Sequence, residues 1–201
     1  DNKGLVLPPK IALSKAVIVP ILFEDSKKAV LEKCMQLSKE LLEFGAFVDA
    51  REHYSAGWKF NEWELTGVPV RIEVGPKDIK ENKAVLVVRD TGEKIPVKFS
   101  EVKKKLESVL EQMQKRLFDN AKKFLEKGTV NASDWNEFVK AIDDRKMVLA
   151  FFCESKDCEQ KIKQETTTTS RCIPFDQKKS SGKCVKCNKP AFRKSFFAKA
   201  Y

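Results

Sequence analysis

Residues 60–78, FNEWELTGVPVRIEVGPKD, decide the fold of this chain, because a helix, a strand and a turn follow one another there within nineteen residues. A short helical run ends at Gly67. Residues 68–74 then alternate between apolar and charged side chains, which is the period of two that a strand with one buried face requires. Residues 75–78, Gly-Pro-Lys-Asp, end the strand and are predicted to form a turn.

Four charged residues in this stretch are predicted to lie near one edge of a sheet. Hydrophobic burial does not explain why charged side chains should lie together there. They are Glu64, Arg71, Lys77 and Asp78. Most charged groups of this size form surface salt bridges, which is the structural alternative. The functional alternative is base recognition, because an unstacked guanine presents donors to a carboxylate and acceptors to Arg or Lys.

Aromatic residues surround the four charged ones, and they also allow two interpretations. Trp58, Phe60 and Trp63 could offer surfaces for base stacking, or they could be core residues at helical spacing. Residues 51–59 are predicted to form a loop that contains His53, the only histidine. The chain has no glycine-rich phosphate loop, no nucleophilic triad and no second histidine, so this chain alone is not expected to carry out chemistry.

The residues before and after the central stretch predict an open α/β sheet. Residues 16–23 form an apolar run of strand length, and residues 46–48 return as a second strand. Residues 84–89 and 94–97 flank Asp-Thr-Gly-Glu, which is typical of a hairpin. The helix between the first two strands should bury one apolar face. That face contains Val30, Cys34, Leu37, Leu41 and Phe44.

A long helix is predicted from Ser100 to Gly128, with apolar residues recurring every three or four positions. Such a helix is a natural connector between domains, so we place the boundary near residue 125. The first domain is therefore predicted at residues 1–125 and the second at residues 126–201.

The second domain is predicted to contain both helices and strands. Helices are expected from residue 133 or 134 to 141 and around 159–165, and strands at 147–152, 171–174 and 192–201. The strand at 147–152 delivers a cysteine at its end.

Four cysteines form two closely spaced pairs, Cys153 and Cys158 as C-x4-C, and Cys184 and Cys187 as C-x2-C. Two such pairs fit a closed tetrahedral zinc site, which would be structural because no ligand position stays open. The alternative is two pairs of buried thiols or disulfides.

The two other cysteines are predicted to be buried core thiols. Cys172 lies between the two pairs, and Cys34 lies on the apolar face of the first helix.

The composition favours a polyanionic partner. The chain has 39 Lys and Arg against 29 Asp and Glu, a net charge of +10, although a solvated basic surface is the alternative. No apolar run approaches the roughly 18 residues of a membrane span. Paired cysteines that suggest metal, and the lack of a signal peptide, favour the cytoplasm. The lack of an initiating Met suggests that the chain starts inside a longer protein.

Several motifs, in order and at matching spacing, resemble prolyl-tRNA synthetases of the archaeal and eukaryotic type, which are class IIa enzymes. The resemblance covers most of the chain and is weakest over residues 98–147. The segments that carry it are GLVLPPKIA at 4–12, GWKFNEWEL at 57–65, GVPVRIEVGPKD at 67–78, DTGEK at 90–94, ETTTTSRCIP at 165–174 and FAKAY at 197–201, together with the two cysteine pairs.

The resemblance implies an α/β anticodon-binding domain with a mixed five-stranded sheet flanked by helices, followed by a small α/β zinc-binding domain. In the family, Glu, Arg, Lys and Asp at the places of Glu64, Arg71, Lys77 and Asp78 read the two guanines of the proline anticodon. The zinc ligands correspond to Cys153, Cys158, Cys184 and Cys187, and the position of Cys172 is not a ligand.

The resemblance also implies the C-terminal part of a proline–tRNA ligase that binds proline tRNA. ATP and Mg²⁺ would act in an upstream catalytic domain, so this part should be inactive alone. The full-length protein is expected to be a homodimer, with the carboxylate of Tyr201 directed toward the catalytic domain. The alternatives are a free-standing tRNA-binding module and a protein-interaction domain without a ligase role.

Overall fold

A computed structural model of the protein describes residues 1–177 and 180–199, and the chain divides into two compact units, 1–119 and 120–201. The predicted domain boundary near residue 125 and this division both fall within the long helix. The first unit contains β1 (Ala16–Pro20), α1 (Lys27–Glu40), β2 (Phe47–Val48), α2 (Ala56–Leu65), β3 (Val70–Val74), α3 (Pro76–Lys80), β4 (Lys83–Val88) and β5 (Lys94–Lys98), and α4 (Val102–Gly128) begins in it.

The first unit is built on a five-stranded mixed sheet in the order β2-β1-β3-β4-β5. Strands β2, β1 and β3 are parallel, whereas β4 and β5 are each antiparallel to the preceding strand. Helices connect the parallel strands because a parallel pair needs a long crossover. The α/β fold with a mixed five-stranded sheet is therefore confirmed.

The core of the first unit lies between one sheet face and the apolar faces of α1 and α4. The predicted face of α1 is confirmed, since Val30, Cys34 and Leu37 are buried. The apolar face of α4 is buried from Val102 to Met113. Farther along α4, Phe124 is 81% exposed, so the predicted face is not buried over its whole length.

The other sheet face carries the charged residues of β3 and contacts α2. Register places Arg71 beside Val17 of β1 and Val87 of β4, and Glu73 lies two residues along the same face. This is the alternation that the sequence predicts for residues 68–74, and it brings two charged side chains onto one surface.

The second unit contains a four-stranded sheet in the order β6-β7-β11-β8 and a two-stranded ribbon of β9 and β10. Apolar side chains of α5, α6, β7 and β11 form its core, with Phe138, Ile162 and Phe197 fully buried. Its elements are β6 (Thr129–Asn131), α5 (Trp135–Asp143), β7 (Met147–Phe152), α6 (Lys156–Thr166), β8 (Thr168–Cys172), β9 (Gly182–Lys183), β10 (Pro190–Ala191) and β11 (Arg193–Lys199).

Two predicted elements differ from the structure near the central stretch. Residues 56–59 are not loop, because Ser55 caps α2 by accepting a hydrogen bond from the N–H of Trp58 and so starts the helix at Ala56. Residues 76–80 form a short helix instead of a simple turn. Two features explain this helix. Pro76 occupies its first position, and the carboxylate of Asp78 accepts a hydrogen bond from the N–H of Gly75.

Within residues 1–177 and 180–199, no helix combines the length and the apolar character needed to cross a membrane.

Candidate functional sites

Glu64 and Arg71, two of the predicted base-reading residues, border one small cleft of about 40 Å³. Glu64 lies near the end of α2 and Arg71 lies on β3, so the proximity of these two residues depends on how α2 is placed over the sheet. The cleft is also lined by Trp63, Val68, Val87, Val88, Arg89 and Gly92.

Arg71 is held on three sides. Its Nε and Nη2 donate to Oε1 of Glu73 at 3.0 and 2.8 Å, and its Nη1 donates to the carbonyl of Phe60 at 3.3 Å. The guanidinium carbon lies 4.3 Å from the centre of the Phe60 ring. The side chain is 14% exposed, so Arg71 is fixed in place while part of it still faces solvent.

Glu64 is less constrained than Arg71. Its carboxylate lies 3.0 Å from the ammonium of Lys3, and the two side chains are 29% and 67% exposed. An exposed pair of this kind contributes about 0–1 kcal/mol, so a competing partner can displace it. The backbone carbonyl of Glu64 accepts from Nε of Arg89 at 2.8 Å, which fixes the end of α2.

Lys77 and Asp78 lie in α3, beyond the far end of β3. Gly75 lies four positions after Arg71, which in extended backbone corresponds to about 13 Å. Asp78 uses Oδ2 to accept the N–H of Gly75 at 2.8 Å, whereas Lys77 is exposed.

Among the described residues, none of the four charged side chains forms a salt bridge with another of the four. The arrangement is therefore two pairs along one strand, the cleft of Glu64 and Arg71 and the helix of Lys77 and Asp78. It is not a mutually neutralising cluster.

The three aromatic residues differ in exposure, since Phe60 and Trp63 are half-buried and Trp58 is exposed. Trp63 packs edge-on against Phe47 with ring centres 5.1 Å apart, which gives it a structural role. Trp58 is 43% exposed and stacks on Tyr54 at 3.9 Å. Phe60 covers one face of Arg71. Of the three rings, Trp58 is therefore the one exposed to solvent, and Tyr54 already covers one of its faces.

A buried polar network that the sequence analysis missed anchors α2 to the sheet. Asp49 follows β2, is 4% exposed, and accepts from Nε and Nη2 of Arg51 at 2.8 and 2.7 Å and from Nε1 of Trp63 at 2.8 Å. The fully buried Lys59 donates to the carbonyl of Asp49 at 2.9 Å. An Asp just after a strand and a lysine on the inner side of a helix are the only sequence signals of this network.

Burial on its own would raise the pKa of Asp49, but hydrogen bonds from Arg51 and Trp63 outweigh it and lower the pKa to about 2. The carboxylate is therefore ionised at neutral pH. Its charge holds the end of β2 to α2, and α2 carries Phe60 and Glu64.

The four paired cysteines converge in the second unit. Their Sγ atoms all lie within 4.8 Å of one another, and those of Cys153 and Cys187 are 3.8 Å apart. A tetrahedral zinc site with Zn–S bonds of about 2.3 Å places its sulfurs about 3.8 Å apart, so the four thiols fit a metal ion. All the cysteines are free thiols, which excludes the disulfide alternative in this structure.

Local backbone structure presents the four sulfurs. Cys153 directly follows β7, and Cys158 lies in the first turns of α6. Cys184 and Cys187 lie in the loop between β9 and β10, where the N–H of Cys184 donates to the carbonyl of Lys189 at 2.8 Å. A positive φ of 59° at Asn188 tightens this loop, and Asn tolerates that region well.

The thiols of the cluster differ in acidity. Burial raises the pKa values of Cys153 and Cys158. At Cys187 burial acts in the same direction, but hydrogen bonds from the Lys189 backbone and from neighbouring thiols lower the pKa to about 7. The four Sγ atoms, all within 4.8 Å of one another, are close enough to share a proton or a cation.

The prediction that Cys172 is a buried core thiol is wrong. Cys172 is exposed, because it ends β8, which is the edge strand of the second sheet. The same prediction is confirmed for Cys34, whose burial raises its thiol pKa to about 12. Tyr201, predicted to direct its carboxylate toward a catalytic domain, lies outside the described residues.

Comparison with known proteins assigns a family to each unit. Residues 15–109 match the family model described as the anticodon binding domain, and residues 135–201 match that described as the C-terminal domain of prolyl-tRNA synthetase.

Curated relatives match the whole chain. They include proteins named proline–tRNA ligase from Agathobacter rectalis, 46% identical over 205 residues, and from Natranaerobius thermophilus, 42% identical over 205 residues. A protein of that name from Oceanobacillus iheyensis is 42% identical over 201 residues. In each case the match covers 100% of this chain and 42% of the relative, so the chain spans about two fifths of the length of these proteins. The chain therefore belongs to the prolyl-tRNA synthetase family, of which it comprises the anticodon-binding region and the C-terminal region.

Proposed function

We propose that this chain is the tRNA-recognising part of a proline–tRNA ligase and that it reads the guanines of the proline anticodon. The observation that carries the proposal is the cleft that Glu64 and Arg71 share within the region that matches anticodon-binding domains. The matches to proline–tRNA ligases along the whole chain favour this function over a free-standing tRNA-binding or protein-interaction module.

The chemistry of the two residue pairs suits two guanines. Arg71 offers a fork of N–H groups to the O6 and N7 acceptors of a base, and Glu64 offers carboxylate oxygens to N1–H and N2–H donors. Lys77 and Asp78 repeat the combination of one cation and one carboxylate at the other end of β3. Two pairs at opposite ends of β3 can serve neighbouring bases that are unstacked and splayed, which is the usual form of single-stranded RNA readout.

The excess of Lys and Arg over Asp and Glu supports binding to the RNA backbone. Phosphate contacts from Lys and Arg provide most of the sequence-independent affinity, whereas base contacts provide the specificity. The exposed lysines of α4 are candidates for phosphate contact.

In the second unit, Cys153, Cys158, Cys184 and Cys187 would hold a structural zinc ion. A zinc ion bound there would join the end of β7, the start of α6 and the β9–β10 loop and so contribute folding energy. The four sulfurs and their mutual distances support this assignment, as does the lack of a fifth ligand side chain in the cluster among residues 1–177 and 180–199.

The remaining partners belong to the larger protein of which such a chain would be part. ATP and Mg²⁺ would act in an upstream catalytic domain that attaches proline to tRNA, and the full-length enzyme would be a cytoplasmic homodimer. The Tyr201 carboxylate is proposed to face that catalytic domain. The support for these proposals is the family membership.

Two lysines of α3 offer a matched pair of variants for testing the base-reading role. Lys77 and Lys80 are both exposed, and each substitution by Met removes one positive charge. Lys77→Met should lower the preference for the proline anticodon over one with a guanine changed to adenine, by about five- to 150-fold for a good base contact. Lys80→Met should weaken binding to both RNAs equally. Equal effects of the two variants on the preference would contradict the role of Lys77.

A further inference from the structure

Glu73 is nearly buried on the sheet face that carries Arg71, and no sequence pattern assigns it a role. It is 7% exposed and lies two residues after Arg71 on β3. Its neighbours across the sheet on that face are Val19 of β1 and Val85 of β4. Because both neighbours are apolar, the sheet itself supplies no other partner for the carboxylate.

The hydrogen bonds of Arg71 show what Glu73 does to it. Oε1 of Glu73 accepts from both Nε and Nη2, and Arg71 is the salt-bridge partner of Glu73 among the described residues. A guanidinium has five N–H groups. Glu73 takes two of them and the carbonyl of Phe60 takes one, so one N–H remains on Nη1 and one on Nη2.

Those two N–H groups form the end of the guanidinium fork, and their number matches the two acceptors, O6 and N7, on one edge of guanine. The Phe60 ring covers one face of the guanidinium at 4.3 Å, which restrains rotation of the fork. An arginine side chain without such contacts would lose conformational entropy on binding a base, whereas the Arg71 side chain is already fixed in one conformation.

We propose that Glu73 is a positioning residue for anticodon reading: its carboxylate holds the guanidinium of Arg71 so that two free N–H groups face a guanine. This inference rests on the proposed function of Arg71. Glu73 itself does not touch the RNA. Its removal therefore affects the discrimination between guanine and adenine more than it affects sequence-independent binding.

The ion pair has a consequence for experiments on Arg71. Substituting Arg71 by Ala leaves the Glu73 carboxylate buried without its partner, which destabilises the sheet as well as removing a base contact. Arg71→Lys avoids this problem, because the ammonium can still pair with Glu73 but lacks the fork. Loss of discrimination in Arg71→Lys thus reports on geometry at nearly constant charge.

The test compares Glu73→Gln with Asp90→Asn in the full 201-residue chain. Asp90 pairs with Arg116 at 2.9 Å, and its side chain is 9% exposed against 10% for Glu73. Each substitution removes one negative charge from an Arg–carboxylate pair, and the two carboxylates are buried to a similar degree. The affinity of each variant is measured at one fixed salt concentration for a proline tRNA transcript and for transcripts with each anticodon guanine changed to adenine.

Glu73→Gln is expected to reduce the guanine preference at one anticodon position about fivefold, because a charge-assisted hydrogen bond becomes a neutral one. Asp90→Asn should leave the preference unchanged. Adding Glu73→Gln to Arg71→Lys should cause no further loss of preference, since the fork that Glu73 positions is already gone.

An unchanged preference in Glu73→Gln, with a clear loss in Arg71→Lys, would overturn the inference and leave the proposed function intact. No guanine preference in the unmodified chain would instead refute the proposed function. If Glu73→Gln does not fold, Glu73→Asp keeps the charge but draws the carboxylate back by one methylene. It should lower the preference in the same way, and full preference in Glu73→Asp would count against positioning.

Discussion

Replacing Asp49 by Asn tests whether the buried network sets the placement of α2. Asp49 accepts two hydrogen bonds from the Arg51 side chain and one from Trp63, and its side chain is 1% exposed. The amide of Asn keeps the shape but loses the negative charge, so the charge-assisted bonds from Arg51 become weaker. We expect the first unit to lose stability, and the loss to depend on pH.

The magnitude follows from the pKa of Asp49, which falls from 3.8 to about 2 in the folded protein. At about 1.4 kcal/mol per pKa unit, this shift corresponds to about 2 kcal/mol of stabilisation. Because the folded pKa is the lower one, the stabilisation is complete above about pH 5. It decreases as the pH falls through about 4 toward 2, and about 1 kcal/mol of it is gone at pH 3.

The assay is urea unfolding of wild type and Asp49→Asn at pH 7 and at pH 3, with Asp25→Asn as a control at an exposed aspartate. The difference between wild type and Asp49→Asn should be about 2 kcal/mol at pH 7 and about half of that at pH 3. Comparing variants at each pH removes acid effects that arise elsewhere in the chain. A difference that is equal at both pH values, or no larger than that of Asp25→Asn, would refute the reasoning.

Three further predictions follow from the second unit and the basic surface. Cys184→Ser should release bound metal and lower the melting temperature of the second unit, whereas Cys172→Ser, at an exposed thiol, should do neither. Equal melting curves for wild type and Cys184→Ser, with no metal in the purified wild type, would refute the zinc site. Gly182→Ala should destabilise the same unit by about 1–3 kcal/mol in urea unfolding, because its Cβ would lie 2.4 Å from Cδ2 of Phe151. Lys104→Ala on α4 should weaken the affinity for matched and altered anticodons alike, with a smaller salt slope; selective loss for one RNA would contradict a phosphate contact.

Periodicity was sufficient to predict most of the fold. Apolar residues every three or four positions locate α1 and α4, and the alternation around Arg71 locates β3 and the face on which it lies. These features depend on local sequence and on burial of one face, which is why the pattern alone reveals them.

Contacts that join distant parts of the chain could not be predicted in this way. The network of Asp49 and Lys59 depends on how α2 crosses the sheet, and nothing in the periodicity fixes that crossing. The exposure of Cys172 depends on β8 being an edge strand, which is a property of strand order. The short helix at residues 76–80 is a local feature, but it depends on Pro76 and on the capping bond from the N–H of Gly75 to Asp78, which turn propensities do not capture.

The candidate sites were predictable to different degrees. Cysteine spacing identified the four residues whose sulfurs converge, because short spacers leave few alternative partners. For the charged residues, the sequence predicted a single cluster of four. The structure shows Glu64 and Arg71 around one cleft and Lys77 and Asp78 in α3. The importance of Glu73 became visible only from the hydrogen bonds it makes to Arg71.

The most direct test of the central claim is the affinity of the unmodified chain for a proline tRNA transcript and for transcripts with each anticodon guanine changed to adenine, at one salt concentration. We predict a loss of about tenfold or more for each altered anticodon, which is roughly the contribution of one good base contact. Equal affinity for all three RNAs would contradict anticodon reading by this chain and would leave only a basic RNA-binding surface.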